Sequence, residues 1–307
     1  MARPLFCTKE SGRLTLMTDL IQLGIDFNHA IEAYRTPLLT SIFKFFAFLG
    51  SSKGYMILLP LVFWVFSTKL GLRLMYGVLC SALTNLILKS LFAIERPFVQ
   101  SSLVTPLENP GNFSFPSGHA QTAGFFAVFI ALSVKSRSVQ ILALASASLI
   151  GLSRIYLGVH FFFDVITGWT VGAVLAGLWV RNSKFIDSLE HPRGYAKRII
   201  MLTTVTVLLP MWMPNSGLLT LFGSLWGMLL FSGRRTADLK HLDHIGFSLA
   251  KIFCVLIGYA ICFSIVTASK SLPSNAIWSF TSYFFITFWV SFLLPRFFRK
   301  IRSARKT

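Results

Sequence analysis

The chain is poor in charge and poorer still in acid. Only 13% of its 307 residues are Asp, Glu, Lys or Arg, about half the roughly 25% of an average soluble domain. Asp and Glu together number 11. With 54% hydrophobic residues and a mean hydropathy of +0.67, that shortage argues against an ordinary soluble globule. It argues equally against a disordered chain, which needs low hydrophobicity. Cysteine is scarce too. Cys7, Cys80, Cys254 and Cys262 match no zinc spacing and no disulfide framework, and the last three lie in apolar stretches as small hydrophobes. A signal-peptide pattern is also lacking, since Arg3, Lys9, Glu10 and Arg13 precede only a short apolar run broken by Asp19. Insertion is expected to be directed by the spanning helices themselves. No internal repeat and no low-complexity segment interrupts the chain.

What is present in excess is base: Lys and Arg number 29, for a net charge of +18. In a soluble protein that excess suggests nucleic acid. In an apolar chain it suggests a membrane protein with basic loops. Position decides between them. Apolar stretches long enough to cross a bilayer need roughly 20 residues. Nine candidates run near 54–68, 71–92, 117–134, 138–157, 162–180, 198–213, 217–232, 249–268 and 275–295, the sixth and seventh being short. Lys69 and Arg73 fall in the first loop between them, Lys135 and Arg137 in the third, and Arg181, Lys184, Arg193, Lys197 and Arg198 in the fifth. The seventh holds Arg234, Arg235 and Lys240, and the tail holds Arg296, Arg299, Lys300, Arg302, Arg305 and Lys306. All share one side if each candidate crosses once, which makes that side and the C-terminus cytoplasmic. Nucleic acid is thereby removed as a partner. Residues 14–50 differ, because Asp19, Asp26, Glu32, Arg35 and Lys44 break their apolar runs; interfacial amphipathic helices suit this pattern.

On the opposite side stand Lys270, in a short loop, and Lys89, Arg96 and Arg154. Lys89, Arg96 and Arg154 belong to the opposite, extracytoplasmic ends of the second and fourth spans. Charges at membrane depth each require a partner or a task. Between Glu108 and Asp187 the single acidic residue is Asp164. It follows His160 by four, a helical spacing at which a carboxylate holds one imidazole nitrogen and leaves the other free as base or nucleophile. Pro116-Ser117-Gly118-His119 opens another span, and a helix start offers free backbone N–H groups to an anion. Lys89 and Arg96, seven apart, are expected two turns apart on one helix face, with Pro97 ending the helix. Three cations around one carboxylate leave a positive pocket that a phosphate fits. The two histidines divide into a nucleophile and an acid for the leaving oxygen. No metal and no cofactor is expected, since no second carboxylate stands by to hold a metal and the cations can stabilise transition-state charge. Residues 98–115, with Pro106, Pro110 and Gly111, read as a loop over this mouth.

Lys89-x6-Arg96-Pro97, Pro116-Ser117-Gly118-His119 and Ser153-Arg154-x5-His160-x3-Asp164 together resemble the three-part signature of the type 2 phosphatidic acid phosphatase (PAP2) superfamily. The resemblance covers roughly residues 50–180. It implies an all-α, polytopic transmembrane bundle whose site faces the extracytoplasmic side. It also implies His160 as a nucleophile forming a phosphohistidine, Asp164 orienting it, and His119 as general acid. Lys89, Arg96, Arg154, Ser117 and the Gly118 backbone would bind phosphate. On this reading residues 1–50 are an N-terminal interfacial amphipathic region. Residues 51–185 are the PAP2-like catalytic core, and 186–307 are additional transmembrane helices with a basic cytoplasmic tail. The expected protein is a multi-pass cell-membrane enzyme (inner membrane in a Gram-negative cell) acting on a phosphorylated lipid among the surrounding membrane lipids. A phosphotransferase using the same chemistry is the alternative. A non-catalytic transporter of anionic lipid is a third reading, but it has no use for a His–Asp pair and a second His.

Overall fold

The structure, a computed structural model, describes residues 7–188, 195–212, 216–230, 256–264, 267, 276–293 and 296. Among them every regular element is a helix and none is a strand. In order these are α1 (Cys7–Glu32), α2 (Pro37–Leu49), α3 (Ser52–Leu61), α4 (Thr68–Phe92), α5 (Pro97–Gln100), α6 (Gly118–Ser133), α7 (Arg137–Tyr156), α8 (Phe162–Arg181), α9 (Ser183–Ser188), α10 (Tyr195–Trp212), α11 (Ser216–Leu229) and α12 (Ala276–Phe288). Short π-helical turns, Val62–Phe66 and Trp289–Leu293, extend α3 and α12. Most of the candidate spans thus coincide with helices to within a few residues. The one at 249–268 falls mostly outside the described residues.

Local chemistry sets the boundaries. Thr36 and Ser51 cap α2 and α3 by accepting the N–H groups of Leu39 and Gly54, and Pro37 occupies the first turn of α2. Ser67 does the same for α4 through Leu70 N. Residues 37–49 lie in the region expected to be interfacial, and residues 52–64 fall largely in the first candidate span. α2 and the following helix through Trp64 are bent by 61° to each other, yet together are long and apolar enough to cross a membrane. The 68–100, 137–156 and 162–181 segments pass the same test singly. Exposed Leu142, Leu144, Val174 and Leu178 supply the lipid-facing surface of such spans.

α6 and α8 pack closest in the core, and glycine makes this possible. A Cβ on Gly172 would stand 2.1 Å from the Gln121 carbonyl oxygen, and one on Gly168 would stand 2.7 Å from that of Ser117. Small residues at a helix crossing let backbones meet where lipid supplies no hydrophobic drive. The crossing brings the first turns of α6 and α8 side by side, and Ser117 N donates to Asp164 O at 3.0 Å. α4 is tied to α6 by a buried polar chain. Asn85 Nδ2 donates to Gln121 Oε1 (2.9 Å) and Pro116 O (3.2 Å), while Gln121 Nε2 donates to Ser81 O (2.8 Å). Each bond inside a membrane contributes about 0.6–2 kcal/mol.

The C-terminal helices rest on the far side of α4. Phe63, Trp64, Met75 and Tyr76 form one apolar cluster with Leu202, Met228, Ile286 and Val290. Trp64 Nε1 donates to Val290 O at 3.0 Å across this boundary. At the end of the core away from the histidines, Arg73 holds Asp187 with paired bonds of 2.8 and 2.7 Å, joined by Lys69 at 3.1 Å.

Candidate active site

His160 does not share a helix with Asp164. It lies in the bend after α7, and α8 begins only at Phe162. The expectation of two side chains on one helical face is therefore corrected. Asp164 sits in the first turn of α8, and one oxygen, Oδ2, accepts the Phe161 N–H at 2.9 Å, capping the helix. The same oxygen accepts His160 Nδ1 at 3.1 Å and Ser114 Oγ at 2.5 Å. This fixes the tautomer: Nδ1 carries the proton, and Nε2 keeps its lone pair. Arg96 Nη1 stands 3.2 Å from Nε2, where only a lone pair is tolerable beside a guanidinium.

Lys89 and Arg96 also differ from expectation in how they are placed. α4 ends at Phe92, where Ala93 adopts φ 47°, four residues before Pro97. Arg96 is extended, and Pro97 starts α5 rather than ending α4. Lys89, in the last turn of α4, donates to the carbonyls of Phe113 and Ser114. Arg96 donates through Nε to Asn112 O (2.7 Å), through Nη2 to Asn112 Oδ1 (2.5 Å) and through Nη1 to Val159 O (2.6 Å). Both are buried, at 5% and 4% exposure, although they carry full charges in water. Their donors gather the 112–114 segment onto the His160 bend.

Arg154 ends α7 and is 2% exposed. Its Nη1 pairs with Glu108 Oε2 at 2.8 Å, while its Nε has no hydrogen-bond partner among the described residues. Ser117 is wholly buried before α6, and its hydroxyl likewise lacks a partner there. His119 is half-buried in the first turn of α6, hydrogen-bonded to the Ala47 backbone of α2. It is within Coulombic reach of Arg154, Arg96, Lys89 and His160. Gly118 presses on Asn85, since a Cβ there would fall 2.8 Å from Asn85 Oδ1. All eight residues singled out in the sequence thus lie at one end of the bundle. Two buried polar atoms and three cations there form a fitting cradle for an anion.

Four further residues support the cluster and escape sequence reasoning. Ser114 bonds Asp164, Asn112 fixes Arg96, Glu108 pairs Arg154, and Asn28 of α1 donates to His160 O at 3.1 Å. Glu108 also revises the charge count, adding a second carboxylate to the one expected. Loop residues carry no periodicity to mark them, and Asn28 reaches the site from 132 residues away. Only the Pro and Gly content of 98–115 signalled a loop over the mouth.

The molecule so described is an all-helical membrane protein with a buried cationic cradle around a tautomer-fixed histidine. Residues 70–186 match the PAP2 superfamily, and residues 215–306 match the PAP2 superfamily phosphatase transmembrane extension. The chain is 34% identical over 157 residues to a phosphatidylglycerophosphatase B of Bacillus subtilis, covering 46% of this chain and 73% of that one. It is 33% identical over 114 residues to an undecaprenyl-diphosphatase of Sulfolobus acidocaldarius, covering 37% of this chain and 55% of that one. The crystal structure of Aquifex aeolicus LpxE is 28% identical and covers 52% of this chain and 95% of its own, with a TM-score of 0.48. The chain belongs to the PAP2 superfamily of membrane phosphatases.

Proposed function

We propose that the protein hydrolyses a phosphomonoester or diphosphate headgroup of a membrane lipid through a phosphohistidine. The observation that carries this is the held imidazole: His160 Nδ1 bonded to Asp164, with Nε2 beside the Arg96 guanidinium. Lys89, Arg96, Arg154, Ser117 and the first-turn backbone at Gly118 bind the phosphoryl oxygens. His160 Nε2 attacks phosphorus, forming the N–P bond as the P–O bond to the lipid breaks. His119 gives its proton to the departing oxygen. Water, deprotonated by His119, then attacks the phosphohistidine, releasing phosphate and restoring His160. The cations stabilise charge on the equatorial oxygens, so the reaction runs without a metal.

The site faces the extracytoplasmic side, and the C-terminus is cytoplasmic. Support comes from the basic residues at the opposite helix ends, Lys69, Arg73, Lys135, Arg137 and Arg181, which mark a cytoplasmic surface. Residues 51–185 carry the chemistry, with α2 and Asn28 of the preceding region packed against them. Candidate substrates follow the relatives' names, phosphatidylglycerophosphate and undecaprenyl diphosphate. The purified protein in detergent, given a panel of such lipids, should release inorganic phosphate. His160→Ala should abolish release from every member while remaining folded. Full activity in that variant overturns the mechanism, and labelled lipid product in place of free phosphate indicates transfer to an acceptor.

A further inference from the structure

One wall of an apolar cavity in the described protein is built by helices that contribute nothing to the phosphate site. A cavity of about 460 Å3 lies between α3, α4 and α6 on one side and α11 and α12 on the other. That size is typical of a small-ligand site. His119, Gly118 and Asn85 are among its lining residues. Along its length run apolar side chains from both halves, among them Met75, Leu221 and Ile286. Two hydroxyls on the C-terminal wall, those of Ser224 and Thr287, are spent on their own helices. Ser224 Oγ donates to Thr220 O at 2.9 Å, and Thr287 Oγ1 donates to Tyr283 O at 2.9 Å. They offer an occupant little polarity. The wall is also rigid. A Cβ on Gly227 would meet the Phe284 carbonyl at 2.3 Å, so α11 and α12 touch backbone to backbone.

We propose that this cavity holds a hydrocarbon chain of the leaving alcohol, and that the C-terminal extension thereby selects the lipid. The inference rests on the phosphatase reading. There His119 protonates the departing oxygen, so the carbon skeleton attached to that oxygen begins beside His119. His119 also lines the cavity. The phosphoryl half of the substrate stays with Lys89, Arg96 and Arg154, none of which lines the cavity. A phosphate ester straddling His119 therefore has its head in the cationic cradle and its tail between α4 and α11.

The test is a homologous series of straight-chain alkyl phosphates, from butyl to hexadecyl, assayed at fixed mole fraction in mixed micelles with the full-length protein. Wild type should show kcat/KM rising by up to about fourfold per methylene until the cavity is filled, then levelling. Ser224→Phe, which intrudes on the cavity, should level at shorter chains. Leu221→Ala, which enlarges it, should level at longer ones. Phe285→Ala, on the outward face of α12, should retain the wild-type profile. Partition into the micelle is common to all four proteins and cancels between them. Superimposed profiles for wild type and Leu221→Ala overturn the inference, and they decide the matter alone where Ser224→Phe does not fold. Absence of any hydrolysis by wild type, of these esters and of the lipid panel alike, overturns the phosphatase reading and the inference with it. Hydrolysis with a flat profile overturns the inference only.

Discussion

Ser114 donates its hydroxyl to Asp164 Oδ2 at 2.5 Å, and that oxygen is the one that holds His160 Nδ1. A loop serine thus shares with His160 the one bonded oxygen of the carboxylate and limits where that carboxylate, and with it the imidazole, can turn. Ser114→Ala removes a charge-assisted bond worth about 1.5–3 kcal/mol, leaving Asp164 and His160 freer to rotate. The expected result is a kcat lowered about 10- to 100-fold with KM nearly unchanged, since Ser114 bonds no proposed phosphate ligand through its side chain. Ser114→Thr keeps the hydroxyl and should recover much of the loss. Steady-state kinetics on one lipid phosphate check the split.

Glu108 occupies the Arg154 guanidinium at 2.8 Å and is itself 37% exposed. An anion bound by Arg154 must compete with this carboxylate or share the guanidinium with it. Glu108→Gln weakens the competitor while keeping its shape, so orthovanadate, which mimics pentacoordinate phosphorus, should inhibit several-fold more tightly. Arg154→Ala should weaken the same inhibition at least about tenfold. An inhibition constant indifferent to Glu108→Gln shows that the pair persists with the anion bound.

Sequence carried the site further than it carried the backbone around it. His160, Asp164, Arg154, Ser117 and His119 were legible because each sits within a turn of a helix end. There, one charged residue in an apolar run stands out without any knowledge of the fold. The helical spacing of His160 and Asp164 pointed to the right pair for the wrong reason. The contact arises because Asp164 caps α8 from inside while His160 approaches from the preceding bend. The sequence expectation puts Arg96 on α4 because nothing in Ala93-Ile94-Glu95 forbids a helix, whereas the helix ends at a left-handed Ala93. Ser114, Asn112 and Asn28 were invisible because loop and long-range contacts have no period. The apolar α2–α3 pair was obscured by Arg35 before it and Lys44 within it.

Asp187 carries a pH-dependent tie between α4 and α9. Its paired bonds from Arg73, with Lys69 adding to them, hold its carboxyl below the usual carboxylate range. A depressed folded pKa means stabilisation that is fully present above the unfolded value of about 3.9 and is lost as pH falls through the folded value. Thermal unfolding in detergent should therefore show a small gap between wild type and Asp187→Asn at neutral pH. The gap should shrink as pH is lowered below about 4 and vanish beneath that. Solvent screening keeps the gap small, because the pair is partly exposed. A gap that grows on acidification contradicts the assignment.

The α6–α8 crossing ties stability to catalysis, because the distance between these helices sets where Ser117 and Asp164 meet. Gly172 is two turns from Asp164, and its missing side chain is what lets the Gln121 carbonyl approach. A Cβ at 2.1 Å from backbone cannot be accommodated by a rotamer change, so Gly172→Ala forces the helices apart. Overpacking of this kind costs about 1–3 kcal/mol. The separation must also strain the Ser117 N to Asp164 O bond and the Asn85–Gln121 bond beside it. Gly172→Ala should therefore lower both Tm and kcat. Gly177→Ala, on the same helix with open space around its Cβ position, should lower neither. A Gly172→Ala protein with wild-type Tm shows that the helices part without cost. Wild-type kcat with a lowered Tm shows that the first turns of α6 and α8 keep their register independently of the crossing below them.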